Sequence, residues 1–400
     1  MFEFTDEQEK LIQDAVNWYW NSSEQVFQFA GGPGTGKSVI LNEIIRRIGL
    51  LPEQVETMAY TGAAAIVMRT KGLIRSKTIH STMYEMVSEP LLDERGNPVL
   101  DTYFNTPIER VTFVPRNLSN IKLFAIDEAG TVPMTMRKDI LDQGIKTLVC
   151  GDLDQLPPVM DEPAFLYNGT VHHLTKIMRQ AGGSAIVYLS QRAKANLPIS
   201  TGLYGDVYVI TEDEVNDFML LNSQVILCGK NITRENLNIK MREKLGVSNS
   251  RFPCPGEKVI CRKNNWKLES GGINLTNGLS GVVGNAPDVS SFDGKTFRID
   301  FYPTLSNYPF IDIPVNYRYF VAGINERKDI KSTRFTSRFP GNLFEFGYAQ
   351  TVHLAQGSQW TYGMYYEEFM HPDINARLNY TALTRFSQGC IYVKRKRKYF

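Results

Sequence analysis

The sequence predicts an α/β fold built on parallel sheets and divided into more than one domain. Three observations carry this. A glycine-rich loop stands between an apolar run and a helical pattern at residues 25–48. Three later apolar runs each end in polar residues. The chain has 400 residues, more than one ordinary core accommodates.

The first element is "QVFQF", a short strand ending at Phe29. The loop Gly31-Gly32-Pro33-Gly34-Thr35-Gly36-Lys37-Ser38 then fits the Walker A spacing. Glycines let backbone N–H groups turn inward around a β-phosphate. Lys37 is placed to reach the β and γ oxygens, and the Ser38 hydroxyl to hold Mg²⁺. Ile40, Ile44 and Ile48 follow four apart, on one helical face. Gly49 is a natural helix stop, with Pro52 behind it.

The next strands are "VETMAY", ending at Thr61-Gly62, "IKLFAI", ending at Asp127-Glu128, and "KTLVC", ending at Gly151-Asp152 with Gln155 beyond. In parallel sheets, ligands sit at the carboxyl ends of strands. Asp127 is expected to hold Mg²⁺, and Glu128 to orient an attacking water. A carboxylate placed for water favours hydrolysis over phosphoryl transfer, and no separate acceptor site is visible.

Composition narrows the remaining classes. The apolar share is 42% and the charged share 22%, ordinary for a globular chain. Net charge is +2, so a nucleic-acid surface would be a local patch. Cys150, Cys228, Cys254, Cys261 and Cys390 include no C-x-x-C pair and no common zinc spacing. All five read as reduced thiols. The start, "MFEFTDEQEK", is acidic and unlike a signal peptide, and no apolar run approaches the ~18 residues of a membrane helix. A cytoplasmic location without membrane contact is expected, in the host cytoplasm if the protein is viral. His172, His173 and His371 form no metal constellation. The basic run Lys394 to Lys398 reads equally as a solvated tail or a phosphate-contacting one.

At "FAIDEAG", "GDLDQLPPV", "TVHLAQGSQW" and "NYTALTR", the chain resembles superfamily 1 helicases, most of all their RecD/Dda branch. The motifs follow the family order over nearly the whole chain. The resemblance implies two RecA-like P-loop motor domains with parallel sheets. It adds a small inserted pin subdomain in the first and an SH3-like β-barrel insert in the second. The implied boundaries are 1–84 and 117–175 for the first motor, 85–116 for the pin, 176–276 and 346–400 for the second motor, and 277–345 for the barrel.

The resemblance also implies site residues. Gln8, in "FTDEQ", is expected on the adenine edge. Gly34, Thr35, Gly36, Lys37, Ser38 and Gly357 are expected to bind ATP, with Mg²⁺ on Ser38 and Asp127. Lys37, Asp127, Glu128, the sensor Gln155 and the arginines Arg179 and Arg385 would form the catalytic set. Planar guanidinium groups suit the charge that develops on the γ-phosphate. Thr61, Gly62, Thr78, His80, Thr351 and His353 would contact nucleic acid. For His353 a structural role competes. Leu354 and Gln359 depart from the family pattern, where many relatives carry a basic residue and a glutamate.

Two segments interrupt the motor pattern. "EMVSEPLLDERGNPVLDTYFNTPIERVTFVPRN" carries a Gly-Asn-Pro turn between extended pieces. Its Tyr103 and Phe104 are candidates to stack on a base, or else fill the insert's own core. From Asn277-Gly278, a strong turn signal, the chain is rich in β-formers and aromatics. Between them "QVILCGKNITRENLNIKMREKLG" predicts a strand and a helix with Leu237, Met241 and Leu245 on one face.

The function implied is ATP-dependent translocation on single-stranded DNA, 5′→3′ by resemblance, with separation of forked duplex. A monomer is expected, with a single-strand-binding or replisome protein as a further partner. The likeness to Dda points to phage replication or recombination. A translocase that does not unwind, and an ATP-switched nucleic-acid clamp, are the alternatives.

Overall fold

The computed structural model describes residues 3–100, 107–158, 161–176, 184–285, 287, 292–332 and 341–395. Two compact units emerge. One comprises Met1–Thr82, Leu118–Arg234 and Ala349–Phe400; the other comprises Met83–Asn117 and Glu235–Tyr348.

The first unit contains two six-stranded sheets. In the first sheet the order is Lys77–Thr78, Val55–Ala59, Leu123–Ile126, Lys146–Gly151, Val26–Gly31, Val171–Leu174. All its pairings are parallel. Its central strands are almost uniformly buried, the pattern of a sheet covered on both faces. Helix Asp6–Asn21 starts at a capping box: the Thr5 hydroxyl accepts from the Gln8 N–H, and Gln8 Oε1 from the Thr5 N–H. Its Leu11, Ile12 and Ala15 share one core with Ile40, Leu41 and Ile44 of helix Lys37–Ile48 and with Phe27 and Phe29. Gly49 ends that second helix in the left-handed conformation, as its position predicts.

The second sheet runs Ala349–Thr351, Ile226–Cys228, Trp360–Tyr366, Phe386–Lys394, Val207–Thr211, Gly202–Tyr204. Only the last strand is antiparallel to its neighbour. Ile186 and Leu189 of helix Ala185–Lys194 pack with Leu378 and Leu383 of helix Pro372–Thr384, and with Tyr365, Phe386 and Tyr392. The strand containing "CIYV" is last in the chain but interior in the sheet.

The second unit is antiparallel. Its five-stranded sheet has the order Phe310–Asn316, Thr296–Pro303, Ser280–Val283, Lys258–Cys261, Phe344–Phe346. A bridge between Val315 and Asn342 draws the outer ends together. Strand Thr296–Pro303 alternates buried with less buried residues, and Phe297, Ile299 and Phe301 turn inward. Phe301 packs edge-on to Phe344 at 5.1 Å, so most aromatics here are ordinary core. Tyr84–Pro90 and Glu109–Pro115 form a hairpin in the same unit, and Lys267 Nζ donates to Glu109 Oε2 at 2.7 Å.

Two sequence expectations differ from this structure. Residues 258–261 were placed with the second motor, yet they pair with Ser280–Val283 and Phe344–Phe346. A strand of four residues does not encode which sheet it joins. Leu245 shares its predicted face with buried Leu237 and Met241 but lies beyond helix Asn231–Lys244, and it is exposed. Tyr103, Phe104, Arg179 and 396–398 of the basic run lie outside the described residues.

Candidate functional site

Strand Val26–Gly31 delivers the glycine loop to the carboxyl edge of the first sheet, and helix Lys37–Ile48 leaves it. Gly36 holds the turn at φ 88°, a left-handed value that favours glycine. The loop is braced from inside. Lys37 Nζ donates to the carbonyls of Gly31 at 2.7 Å and Gly32 at 3.1 Å, and Thr35 Oγ1 donates to Gly32 O at 2.9 Å. Gln8 is buried, and its Nε2 donates to Thr35 O at 3.0 Å. Both ends of the Gln8 amide therefore bond protein, and it braces the loop.

The neighbouring strand brings the carboxylates. Ser38 Oγ donates to Asp127 Oδ2 at 3.0 Å. Asp127 Oδ1 accepts from the Glu128 N–H at 2.8 Å and from Cys150 Sγ at 3.2 Å. Burial, then the Asp127 charge, pushes the Cys150 thiol pKa well up, so it serves as donor. Glu128 adopts φ 53°, ψ 37°, a left-handed conformation costly for a glutamate.

The second sheet supplies the opposite wall. Arg385 follows helix Pro372–Thr384 and is buried. Its Nη1 lies 3.3 Å from Ser358 O and 3.8 Å from Glu128 Oε1. Its Nε is buried without a hydrogen-bond partner among the described residues. Pro33, Gly34, Gly36, Lys37, Ser38, Asp127, Glu128, Gln155, Gly357 and Arg385 line one cavity of about 290 Å³. A hydroxyl beside a carboxylate is a hard-oxygen pair suited to Mg²⁺. Lys37, Lys71 and Arg385 around the glycine loop make the cavity fit a polyphosphate.

Motif spacing did not flag three of the residues around this cavity. Lys71 caps helix Gly62–Thr70 from its C-terminal end, and its Nζ donates to Ser38 Oγ at 3.3 Å. Cys150 stands behind Asp127. Tyr380 Oη donates to Asp152 Oδ2 at 2.8 Å. An "x-x-Asp-Glu" strand next to a buried cysteine strand was the only available signal for Cys150.

The proposed nucleic-acid contacts are more dispersed. Thr61 Oγ1 accepts from the Ala64 N–H and caps its helix. Gly62 and Thr78 are buried, and the Thr78 hydroxyl donates to Ser81 Oγ at 2.9 Å. Ala59 pairs with Thr78, so Thr61 and Thr78 share one edge of the first sheet. Thr351 ends a strand of the second sheet, with Cys228 as its pairing partner. His80 and His353 are half-buried, and burial lowers the pKa of each below 6.5. Gly357 binds the two groups together: a Cβ there would lie 2.7 Å from both Thr61 Oγ1 and Ala64 Cβ. Among the described residues, no group of three or more histidines, cysteines and acids could hold a metal by itself.

Residues 3–207, about half of the chain, match the AAA domain family. The chain belongs to the AAA domain family. The match covers the first sheet with its loop, carboxylates and Gln155. Over 385 residues the chain is 25% identical to the ATP-dependent RecD2 DNA helicase of Deinococcus radiodurans, covering 89% of this chain and 45% of that one. It is 32% identical over 167 residues to the ATP-dependent DNA helicase RRM3 of Saccharomyces cerevisiae, covering 39% of this chain and 21% of that one. The chain thus spans less than half the length of these curated relatives.

The fold is similar to solved Pif1 helicases. A structure of two coordinating Pif1 helicases at forked duplex DNA aligns with TM-score 0.55 and 18% identity, over 98% of this chain and 92% of that one. Bacteroides Pif1 with ADP-AlF3 and single-stranded DNA aligns with TM-score 0.54 and 16% identity over the same shares. These likenesses bear out the two-part α/β fold with parallel sheets.

Proposed function

We propose that the chain is an ATP-dependent DNA helicase: it hydrolyses Mg-ATP between its two RecA-like halves, moves along single-stranded DNA and separates forked duplex. One observation carries this reading. Arg385 of the second half and Glu128 of the first face each other at 3.8 Å across the cavity that Lys37 and Ser38 line. A site completed from two halves requires their closure for hydrolysis, and loss of the γ-phosphate then releases closure. The names of the RecD2 and RRM3 relatives support the same activity.

In this reading Ser38 and Asp127 would hold Mg²⁺, which when bound neutralises β- and γ-phosphate charge. Glu128 orients and deprotonates the attacking water, Lys37 leaves its loop carbonyls for phosphate oxygens, and Arg385 stabilises the charge that develops. Arg179 is proposed as a second arginine. Gly34, Thr35, Gly36 and Gly357 are proposed to shape the nucleotide cradle, with Gln8, which also braces Thr35, on its adenine edge. Thr61, Gly62, Thr78, His80, Thr351 and His353 are proposed along the single strand.

The finer assignments rest on the motif resemblance: 5′→3′ travel, action as a monomer in the cytoplasm, and a place in phage replication or recombination as in Dda. Residues 85–116, which hold most of the hairpin of Tyr84–Pro90 and Glu109–Pro115, are proposed as the pin, and 277–345, with strand Lys258–Cys261 added to its sheet, as the SH3-like insert. The test is steady-state ATP hydrolysis with and without single-stranded DNA, in wild type and Glu128→Gln. Strong stimulation that vanishes in the variant is expected. Absence of stimulation in wild type would overturn the reading in favour of an ATP-switched clamp.

A further inference from the structure

Residues 152–156 belong to the first half but are gripped by side chains of the second. Tyr380 Oη donates to Asp152 Oδ2 at 2.8 Å. Thr381 Oγ1 accepts from the Leu156 N–H at 2.9 Å. Gln356 Nε2 donates to Leu156 O at 2.6 Å. All three side chains are buried, and Tyr380 is fully so. Burial, then the facing Asp152 carboxylate, keeps the Tyr380 phenol protonated, so it is the donor.

The same carboxylate oxygen serves a second donor. Gln155 Nε2 lies 3.3 Å from Asp152 Oδ2, and Gln155 lines the nucleotide cavity. Tyr380 stands on the helix that ends beside Arg385. Its hydroxyl also approaches the glycine loop, 3.4 Å from where a Cβ on Gly32 would stand. One buried hydroxyl on the helix leading to Arg385 therefore bonds the segment bearing Gln155 and lies close to the glycine loop. A phenylalanine would fill the same core volume without the hydrogen bond to Asp152.

We propose that Tyr380 is a positioning residue that gears Gln155 to the arginine-bearing helix, so that nucleotide and single-strand occupancy are linked through its hydroxyl and Asp152. This rests on the helicase reading above. Linkage of two sites requires an element whose arrangement both bias, and residues 152–156 are held from both sides.

The experiment measures affinity for a fluorescein-labelled oligo-dT by anisotropy, with and without a non-hydrolysable ATP analogue and Mg²⁺. Wild type is expected to show a clear ratio between the two affinities. In Tyr380→Phe the nucleotide-free affinity should stay within about twofold, while the ratio shrinks by about fivefold or more. Thr381→Val, which removes the acceptor for the Leu156 N–H, should shrink the ratio in the same direction. Tyr380→Phe added to Gln155→Ala should change the ratio no further, because both act through one element. A thermal melt of each variant separates lost coupling from lost folding. A ratio unchanged in both single variants would overturn the proposal while leaving the helicase reading standing. A ratio of one in wild type would overturn that reading, and the proposal with it.

Discussion

Ser38 Oγ donates a 3.0 Å hydrogen bond to Asp127 Oδ2, joining residues 89 positions apart. The second residue of a helix after one strand thus meets the residue just past the end of another, because Leu123–Ile126 and Val26–Gly31 flank a common neighbour, Lys146–Gly151. The pair is the hard-oxygen corner of the cavity, and several outcomes depend on it and on its surroundings.

Lys37→Ala should reduce ATP kcat/KM by about a hundredfold or more, because a cation aimed at developing phosphate charge acts in the transition state. Its two loop-carbonyl bonds go as well, so the melting temperature should fall slightly without loss of the fold. Turnover measured beside a thermal melt checks both. Unchanged turnover would remove Lys37 from the site.

Glu128→Gln should retain nucleotide affinity and lose about 10²–10⁴-fold in kcat, the range for a general base. The amide keeps the side-chain shape and the 3.8 Å approach of Arg385 but cannot take a proton. Fluorescent ADP binding and steady-state hydrolysis separate the two effects. An equal fall in affinity would mean that Glu128 holds the nucleotide instead.

Gly357→Ala should destabilise the protein by about 1–3 kcal/mol. The glycine sits at φ 81°, and the added Cβ would press against Thr61 Oγ1 and Ala64 Cβ at 2.7 Å. Denaturant unfolding measures the loss. A neutral result would show that the second-half loop separates readily from the helix start at Thr61.

His80 and His353 link stability to pH. Burial lowers both pKa values below 6.5, so the folded chain favours neutral imidazoles. Their contribution is fully present above 6.5, and it is lost as pH falls from there through the lowered folded values. Melting temperature should therefore drop on acidification below 6.5, with a shallower slope in a His80→Asn, His353→Asn double variant. An identical slope would assign the acid sensitivity to other groups.

The glycine loop, its flanking strand and helix, the Gly49 stop and the acidic strand end at Asp127-Glu128 were legible in the sequence. Each depends on φ/ψ preference, apolar period or a motif within a few residues. The order of motifs also pointed to two α/β halves, each built on its own sheet. Tertiary structure alone decided the rest. Lys258–Cys261 joined the second unit's sheet because strand pairing is settled by distant partners. Gln8 turned its amide onto Thr35, and Lys71 and Cys150 came to stand beside Ser38 and Asp127. Tyr380 found Asp152 across 228 positions of chain. Local residues dictate local shape, whereas a buried polar group must find whichever partner the folded topology brings within hydrogen-bond reach.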